Sequence, residues 1–293
     1  VVNWVFDACR EPASVALSSD GRWIARSSGV LIDLVDTQTG DIVQQYRGHT
    51  YPVNFVAFSP DNSLLVSSAK KVEKENQTQL RLWRVSPARA IGGELQVGFW
   101  ETEDLTFSPD GSKIAFYDLI QSAIRIVNLS DGASALIPSI PDTPGIWSSQ
   151  GESMIVADLA PQELIPYTVL YLVNLQDRAV EQMFEGVFSG VDFSLPEWSP
   201  DGTWLLAGLR SAGSGSGKQI WVMRPDGSQA RAVTDDILSA HAAYHWAPAG
   251  GQAVFQRVKL GSSASRPELV LWDQNRDELR VLVEDAALPA WLP

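Results

Sequence analysis

The sequence has little of the chemistry that most directly betrays a function. Cysteine occurs once, as Cys9, which excludes an intramolecular disulfide and any zinc site built from several thiolates. There are only three histidines, and 22 Lys and Arg stand against 35 Asp and Glu. A net charge of −13 and a pI near 4.6 leave no basic footprint, so neither nucleic acid nor anionic lipid is expected as a partner. No apolar run approaches the roughly 18 residues of a membrane span. The nearest, LIPYTVLYLVNL (164–175), is short and broken by Pro166 and Asn174. Helical periodicity is missing too: no segment keeps a 3.6-residue apolar period for three turns. The chain opens at Val1 rather than Met, which fits a removed export signal or a longer precursor, and an extracytoplasmic location is expected ahead of a cytoplasmic one.

What the sequence does contain is repetition. The stretch WSPDGTWLLAG (198–208) returns as FSPDNSLLVSS (58–68) and FSPDGSKIAFY (107–117). Weaker echoes are LSSDGRWIARS (17–27), WSSQGESMIVA (147–157) and WAPAGGQAVFQ (246–256). Aligned on the third motif position (Asp20, Asp61, Asp110, Gln150, Asp201, Ala249), the repeats recur at roughly 40–50 residues, the period of four-stranded propeller blades. Each reads as four short apolar runs divided by turn signals; in repeat five these are VDFSLPEWS, TWLLAGL, KQIWVMR and ARAVT. The expected class is all-β: a β-propeller of four-stranded blades, forming one domain over residues 1–293.

The repeated motif has a structural explanation. In Ser-Pro-Asp-Gly the proline presets a type I turn, Asp bonds its own backbone, and Gly accepts positive φ. Asn62 takes the glycine position in repeat two and tolerates the same φ. The turn should join the first and second strands of each blade, with the preceding aromatic (Phe58, Phe107, Trp147, Trp198, Trp246) filling space between sheets. A second tight turn, as in DTQTGDIV (36–43), NLSDGASA (128–135) and RPDGSQAR (224–231), should join strands three and four. Variable lengths then fall in the second-to-third-strand loops and the links between blades, which share one face.

Six repeats are complete and two fragments remain. VVNWVF (1–6) aligns with an outermost strand and LPAWLP (288–293) with an innermost one. The pair suits a split seventh blade, with a latched six-bladed ring as the alternative.

The residues now resemble two related families. GHTYPVNFVAFSPDNSLLVSSAKKVEKENQTQLRLWRV (48–85) resembles a WD repeat, with Gly48-His49 and Leu82-Trp83, and LVLWDQN (269–275) carries Trp272-Asp273. Repeats five and six resemble the propellers of the periplasmic Tol-system protein and of dipeptidyl-peptidase-like enzymes. The resemblance implies a bacterial-type propeller used for binding or assembly. It also implies a hydrogen-bonded network within a blade, for which His49, Ser67 and Trp83 supply three members while residues 69–79 offer no Asp. The peptidases hold their nucleophile in a separate hydrolase domain, for which this chain has no room.

Direct signs of catalysis are few. No G-x-S-x-G is present, and SAGSGSGK (211–218) fails as a P-loop because position 212 is alanine and Gln219 follows the lysine. His241 and His245, four apart in SAHAAYHWAP, would share one face of a strand, with Asp235 and Asp236 nearby. Packing is the expected role, with no metal and no cofactor.

The links between blades are more suggestive: FWETED (99–104), IPDTPGI (140–146), FSGVDFSLP (188–196) and TDDILSAHAAY (234–244). In a propeller they converge at one mouth of the central channel. The candidate partner-binding residues are Trp100, Glu101, Asp192, Phe193, Asp235, Asp236 and Tyr244, with Phe99 and Asp142 in the same links. Aromatic and acidic side chains together suit a protein or peptide partner with basic character. The loops AKKVEKENQTQ (69–79) and QRVKLGSSASRPE (256–268) are more basic, which would split the face in sign. The expected function is non-enzymatic binding or assembly. The alternatives are a lyase- or glycosidase-type enzyme using carboxylates at the channel mouth, and an accessory propeller of a longer protein.

Overall fold

The computed structural model describes residues 14–70, 78–85, 89–90, 105–118, 121–139, 145–159, 168–184, 188, 190–261, 266–287, 289 and 291. All regular structure among them is β-strand, in six antiparallel sheets whose strands follow sequence order from one edge to the other. Sheet I comprises Val15–Leu17, Trp23–Ser28, Leu31–Asp36 and Ile42–Arg47; sheet II Val53–Phe58, Leu64–Lys70, Thr78–Arg84 and Arg89–Ala90. Sheet III comprises Thr106–Phe107, Lys113–Asp118, Ala123–Asn128 and Ser134–Pro138; sheet IV Ile146–Trp147, Ser153–Leu159, Thr168–Asn174 and Val180–Gln182. In sheet V the first strand is split into Val191–Phe193 and Glu197–Trp198, followed by Leu205–Ser211, Gln219–Met223 and Arg231–Ala232. Sheet VI comprises Ser239–Trp246, Gln252–Lys259, Glu268–Asp273 and Glu278–Glu284. No helix is long and apolar enough to cross a membrane among the described residues.

The chain divides into two compact units, Val1–Pro144 with Pro293, and Gly145–Leu292. The first holds sheets I to III. Its core lies between sheets, because a strand buried on both faces needs apolar side chains in both directions. Tyr46, Val56, Leu65 and Trp83 fill the space between sheets I and II, and Val66, Leu80, Ile114 and Phe116 that between II and III. Phe58 and Phe107, the residues before the repeated turn, pack onto those two cores as the sequence suggests. The second unit holds sheets IV to VI, with Leu206, Ile220, Trp246, Phe255 and Trp272 in one cluster. The outermost strand of sheet VI, Glu278–Glu284, is exposed along its whole length.

The repeated turn has the expected place and conformation, joining the first and second strands of each sheet. In sheet II, Asn62 N donates to Ser59 O at 2.9 Å, and Asn62 has a φ of 59°. The counterparts Gly111 and Gly202 both have a φ of 70°. The serine does more than the sequence reading assigned to it. Ser59 Oγ donates to Asp61 Oδ1 at 2.6 Å and accepts Leu64 N at 2.9 Å, while Asp61 Oδ1 accepts Ser63 N at 3.1 Å. Ser108 and Ser199 repeat the pattern with Asp110 and Asp201, at 2.6 and 2.5 Å. These hydroxyls hold the carboxyls of Asp20, Asp61 and Asp201 below the ordinary range, and that of Asp110 at about 2. Successive turns touch: Asn62 exchanges hydrogen bonds with Ser19, and a Cβ on Gly202 would lie 2.2 Å from Ser149 Oγ.

Residues 1–6 lie outside the described residues, as does most of 288–293. Of the latter, Trp291 donates its indole N–H to His245 O at 3.1 Å, beside the first strand of sheet VI.

Candidate functional site

Within the second unit, the links between sheets lie at the end of the strands opposite the repeated turns, together with the second-to-third-strand loops. The link from sheet V to sheet VI is built around Gln219. Its Nε2 donates to Asp236 O, Ser239 O and Gly217 O at 3.0, 3.1 and 3.2 Å. Buried Thr234 completes the anchor: its hydroxyl accepts Ile220 N at 2.9 Å and donates to Gln219 Oε1 at 3.0 Å. Asp236 closes the turn beyond, accepting Ser239 Oγ at 2.6 Å and Leu238 N at 3.0 Å. The Ser239 hydroxyl also draws the Asp236 carboxyl below its usual range, so it is ionised at neutral pH. From the other side Leu260 N donates to Leu238 O at 2.7 Å. Gly217 permits the fit, since a Cβ there would lie 2.4 Å from Ser239 O.

That anchored turn presents two aliphatic side chains to solvent. Ile237 is 67% exposed and Leu238 is 70% exposed, with Leu260 at 42% beside them. Asp235 and Asp236 are exposed at the same turn. An apolar tip held by backbone and side-chain hydrogen bonds loses little entropy when a partner covers it. Sequence patterning gave no sign of this pair, because two adjacent aliphatics in a short link read equally well as core.

The other predicted residues fare differently. Asp192 is not a free acid: its Oδ2 lies 2.9 Å from Arg210 Nε and 3.3 Å from Lys218 Nζ, and its Oδ1 accepts Thr168 N at 3.3 Å. Burial pushes its carboxyl up, but the Lys218 charge and these bonds prevail and hold it low. Burial in turn lowers Lys218. Its ammonium also donates to Phe193 O at 2.8 Å. Phe193 is buried rather than displayed, stacked on Phe184 with centroids 5.4 Å apart and edge-on to Phe188 at 5.7 Å. Tyr244 is likewise buried, its hydroxyl donating to Leu195 O, and burial raises its phenol. Neither aromatic offers a face to a partner. Trp100 and Glu101 lie outside the described residues, as do Phe99 and Asp142.

The two histidines of sheet VI do not share a face. A bulge between Ala242 and His245, with Ala243 at a φ of 48°, adds a residue and reverses the alternation. His241 is therefore buried, with Nδ1 3.2 Å from Lys218 O. His245 faces outward, 2.9 Å from Glu197 Oε2, which raises its pKa through that hydrogen bond. Among the described residues no three His, Cys, Asp or Glu side chains gather as metal ligands.

In sheet II the three-membered network forms. Ser67 Oγ lies 2.7 Å from His49 Nε2 and accepts Trp83 Nε1 at 2.7 Å. In place of an Asp, Gln79 stands at the open end of the loop, accepting Thr50 N and Oγ1. Burial and the Arg81 charge then push the His49 imidazole down to about 4.

Comparison with known proteins agrees with this architecture. Residues 40–83 match the WD40 family, described as WD domain, G-beta repeat. An uncharacterized WD repeat-containing protein of Synechocystis is 35% identical over 104 residues, covering 34% of this chain and 27% of that protein. An uncharacterized protein of Agrobacterium fabrum is 29% identical over 158 residues, covering 52% and 50%. The chain thus spans half or less of the length of these relatives. Among solved structures, the Cps50 (Swd1) β-propeller domain of Myceliophthora thermophila superposes with a TM-score of 0.62 at 15% identity, covering 96% of this chain and 89% of that one. A putative TolB from Agrobacterium tumefaciens gives 0.52 at 18% identity, covering 94% and 81%. An oligogalacturonate lyase in complex with manganese gives 0.59 at 15% identity, covering 78% and 64%. At these identities the likeness is one of fold.

Proposed function

Because the chain is an all-β propeller carrying a WD repeat and resembling TolB-type propellers, we propose that it is a non-enzymatic protein-binding module. Its site is the link end of the sheets, and residues 1–293 act as one propeller domain. The observation that carries this reading is the anchored turn Asp235–Leu238, which displays Ile237 and Leu238 beside two exposed acidic side chains. A buried aliphatic anchor with a charged rim is the usual anatomy of a protein interface. The acids favour a partner segment that places Lys or Arg beside an apolar residue, and they act chiefly on association rate and salt dependence. Trp100 and Glu101, in the link 99–104, belong to the same proposal as a second aromatic and acidic contribution.

Affinity capture with the full chain tests it, with captured proteins quantified against the Ile237→Asp/Leu238→Asp variant and against Asp235→Lys/Asp236→Lys. Specific partners should fall at least tenfold with the first variant and show weaker salt dependence with the second. A capture profile unchanged by both would overturn the assignment of the link end. Trp100→Ala in the same assay asks whether the 99–104 link shares the interface, with an expected loss of about 2 kcal/mol of binding energy.

A further inference from the structure

Sheet VI carries on its far side the same features by which sheet V receives sheet VI. On sheet V the receiving positions are Leu206, Ile220 and Val222, all fully buried in the cluster shared with Trp246, Phe255, Val270 and Trp272 of sheet VI. Strand register carries these positions onto sheet VI. Glu197 pairs with Leu206 and Leu206 with Val222, as His245 pairs with Val254 and Val254 with Leu271. Gly208 pairs with Ile220 as Gln256 pairs with Leu269. Val254, Leu269 and Leu271 are therefore the counterparts of Leu206, Ile220 and Val222. They alternate with Phe255, Val270 and Trp272 and so point away from sheet V. Apolar residues in both directions are what a strand needs when sheets cover it on both sides. Yet Leu269 and Leu271 are only partly buried, and Val283, opposite Leu269, is exposed.

The second feature is a hydrogen bond. Trp246, the first-strand aromatic of sheet VI, donates its indole N–H to Glu197 O at 3.3 Å, the carbonyl of the residue before Trp198. Trp291 donates its indole N–H to His245 O at 3.1 Å, the carbonyl of the residue before Trp246. Trp291 is thus seated on sheet VI as Trp246 is seated on sheet V. The sequence agrees. Trp198-Ser199-Pro200 and Trp246-Ala247-Pro248 lead into the repeated turn, and Trp291-Leu292-Pro293 has the same form at the repeat spacing. Pro289, two residues before the tryptophan, is buried.

We infer that the far face of sheet VI is the seat of a further β-sheet of this same chain, with Trp291 as the aromatic of its first strand. Val254, Leu269 and Leu271 then form an interface within the chain, not a surface offered to another protein. The side chains that fit it are those that sheet VI itself presents to sheet V, aromatic and aliphatic groups such as Phe255, Val270 and Trp272. Both observations are needed. The apolar face alone would accept any apolar cover, whereas the Trp291 bond sets the covering strand in the register that sheet VI has on sheet V. The link end plays no part in this contact.

Maleimide labelling of single cysteines tests this in the full chain carrying Cys9→Ser. Leu271→Cys probes the face, Val180→Cys a site 63% exposed, and Met154→Cys a fully buried site in sheet IV. Leu271→Cys should label roughly tenfold more slowly than Val180→Cys, since its thiol is reached only when the covering sheet opens, and equally so in dilute and concentrated protein. Adding Trp291→Ala should speed Leu271→Cys about fivefold while Met154→Cys stays protected. Trp291→Phe, which keeps a ring and loses the donor, should give a smaller rise. Labelling of Met154→Cys in the Trp291→Ala background would mean that the chain had unfolded, and the Trp291→Phe comparison then decides. Equal labelling of Leu271→Cys and Val180→Cys overturns the proposal, as does a Leu271→Cys rate indifferent to both Trp291 variants. Protection that disappears on dilution also overturns it, and would give the face to a second copy of the chain.

Discussion

The two ends of these sheets are made by different rules. At one end a serine, an aspartate and a positive-φ residue rebuild the same closed turn, with Ser Oγ to Asp Oδ1 distances of 2.6, 2.6 and 2.5 Å in sheets II, III and V. At the other end the described links are fastened in different ways. Gln219 anchors one link, His49 and Ser67 tie another, and Asp192 with Arg210 and Lys218 holds a third. Each turn at the first end is closed by bonds within five residues of sequence, whereas the links at the second end also rely on pairs far apart in sequence, such as His49–Ser67 and Asp192–Lys218. An end that is not needed for register is free to vary, and variable ends are where recognition is placed.

Substitutions should expose this difference, starting with the largest effect. Gly217→Ala drives a methyl group into the backbone of Ser239 and Ala240, so denaturant titration should show a loss of about 3 kcal/mol. A change near zero would mean that the link is not clamped as described. Acid should separate the two ends in sequence. His49 is held at about 4, below its unfolded value, so unfolding takes up a proton between roughly pH 6.5 and 4 and stability falls as pH drops through that window, by up to about 3 kcal/mol. His241, also lowered by burial, contributes in the same direction, while the raised His245 opposes it. His49→Gln should flatten that part of the stability curve; an unchanged slope would remove His49 as its cause. The turn carboxyls, depressed by their serines, contribute stability above their unfolded values that is lost only as pH falls from about 4 towards 2.

Smaller effects grade the turn end itself. Gly202→Val adds strain at positive φ to a close approach to Ser149, whereas Gly111→Val meets nothing nearer than 3.7 Å. Thermal melts should show losses of about 2 and about 1 kcal/mol respectively. Equal losses would mean that contact between successive turns is immaterial. Smallest of all, Ile237→Asp/Leu238→Asp should shift stability by no more than about 0.5 kcal/mol, since both side chains already face solvent. A large loss would show that they serve packing rather than display.

What the sequence made legible follows the same division. Strand order, the turn, and the positive φ at Asn62, Gly111 and Gly202 were readable because each depends on four or five adjacent residues. The aromatic partners Phe58 and Phe107 were readable because the repeat placed them. The link end was readable only in part. Asp235 and Asp236 are exposed as expected, but Phe193 is buried against Phe184, the residue that begins the same link, and Tyr244 is buried with its hydroxyl bonded to the Leu195 carbonyl 49 positions away. His245 faces away from His241 because of one extra residue at Ala243, which periodicity cannot foresee. Lys218, 26 positions from Asp192, neutralises it, and no local pattern announces such a pair.

The self-sufficiency of the serine–aspartate turn has a kinetic meaning. Its bonds close over no more than five residues, so the loop-closure entropy of each is small and a hairpin can find its register before any neighbouring sheet exists. A repeat that carries this turn therefore holds its own register signal, and a duplicated or transplanted segment arrives with its alignment already encoded. The links, which need a finished neighbour, are fastened last.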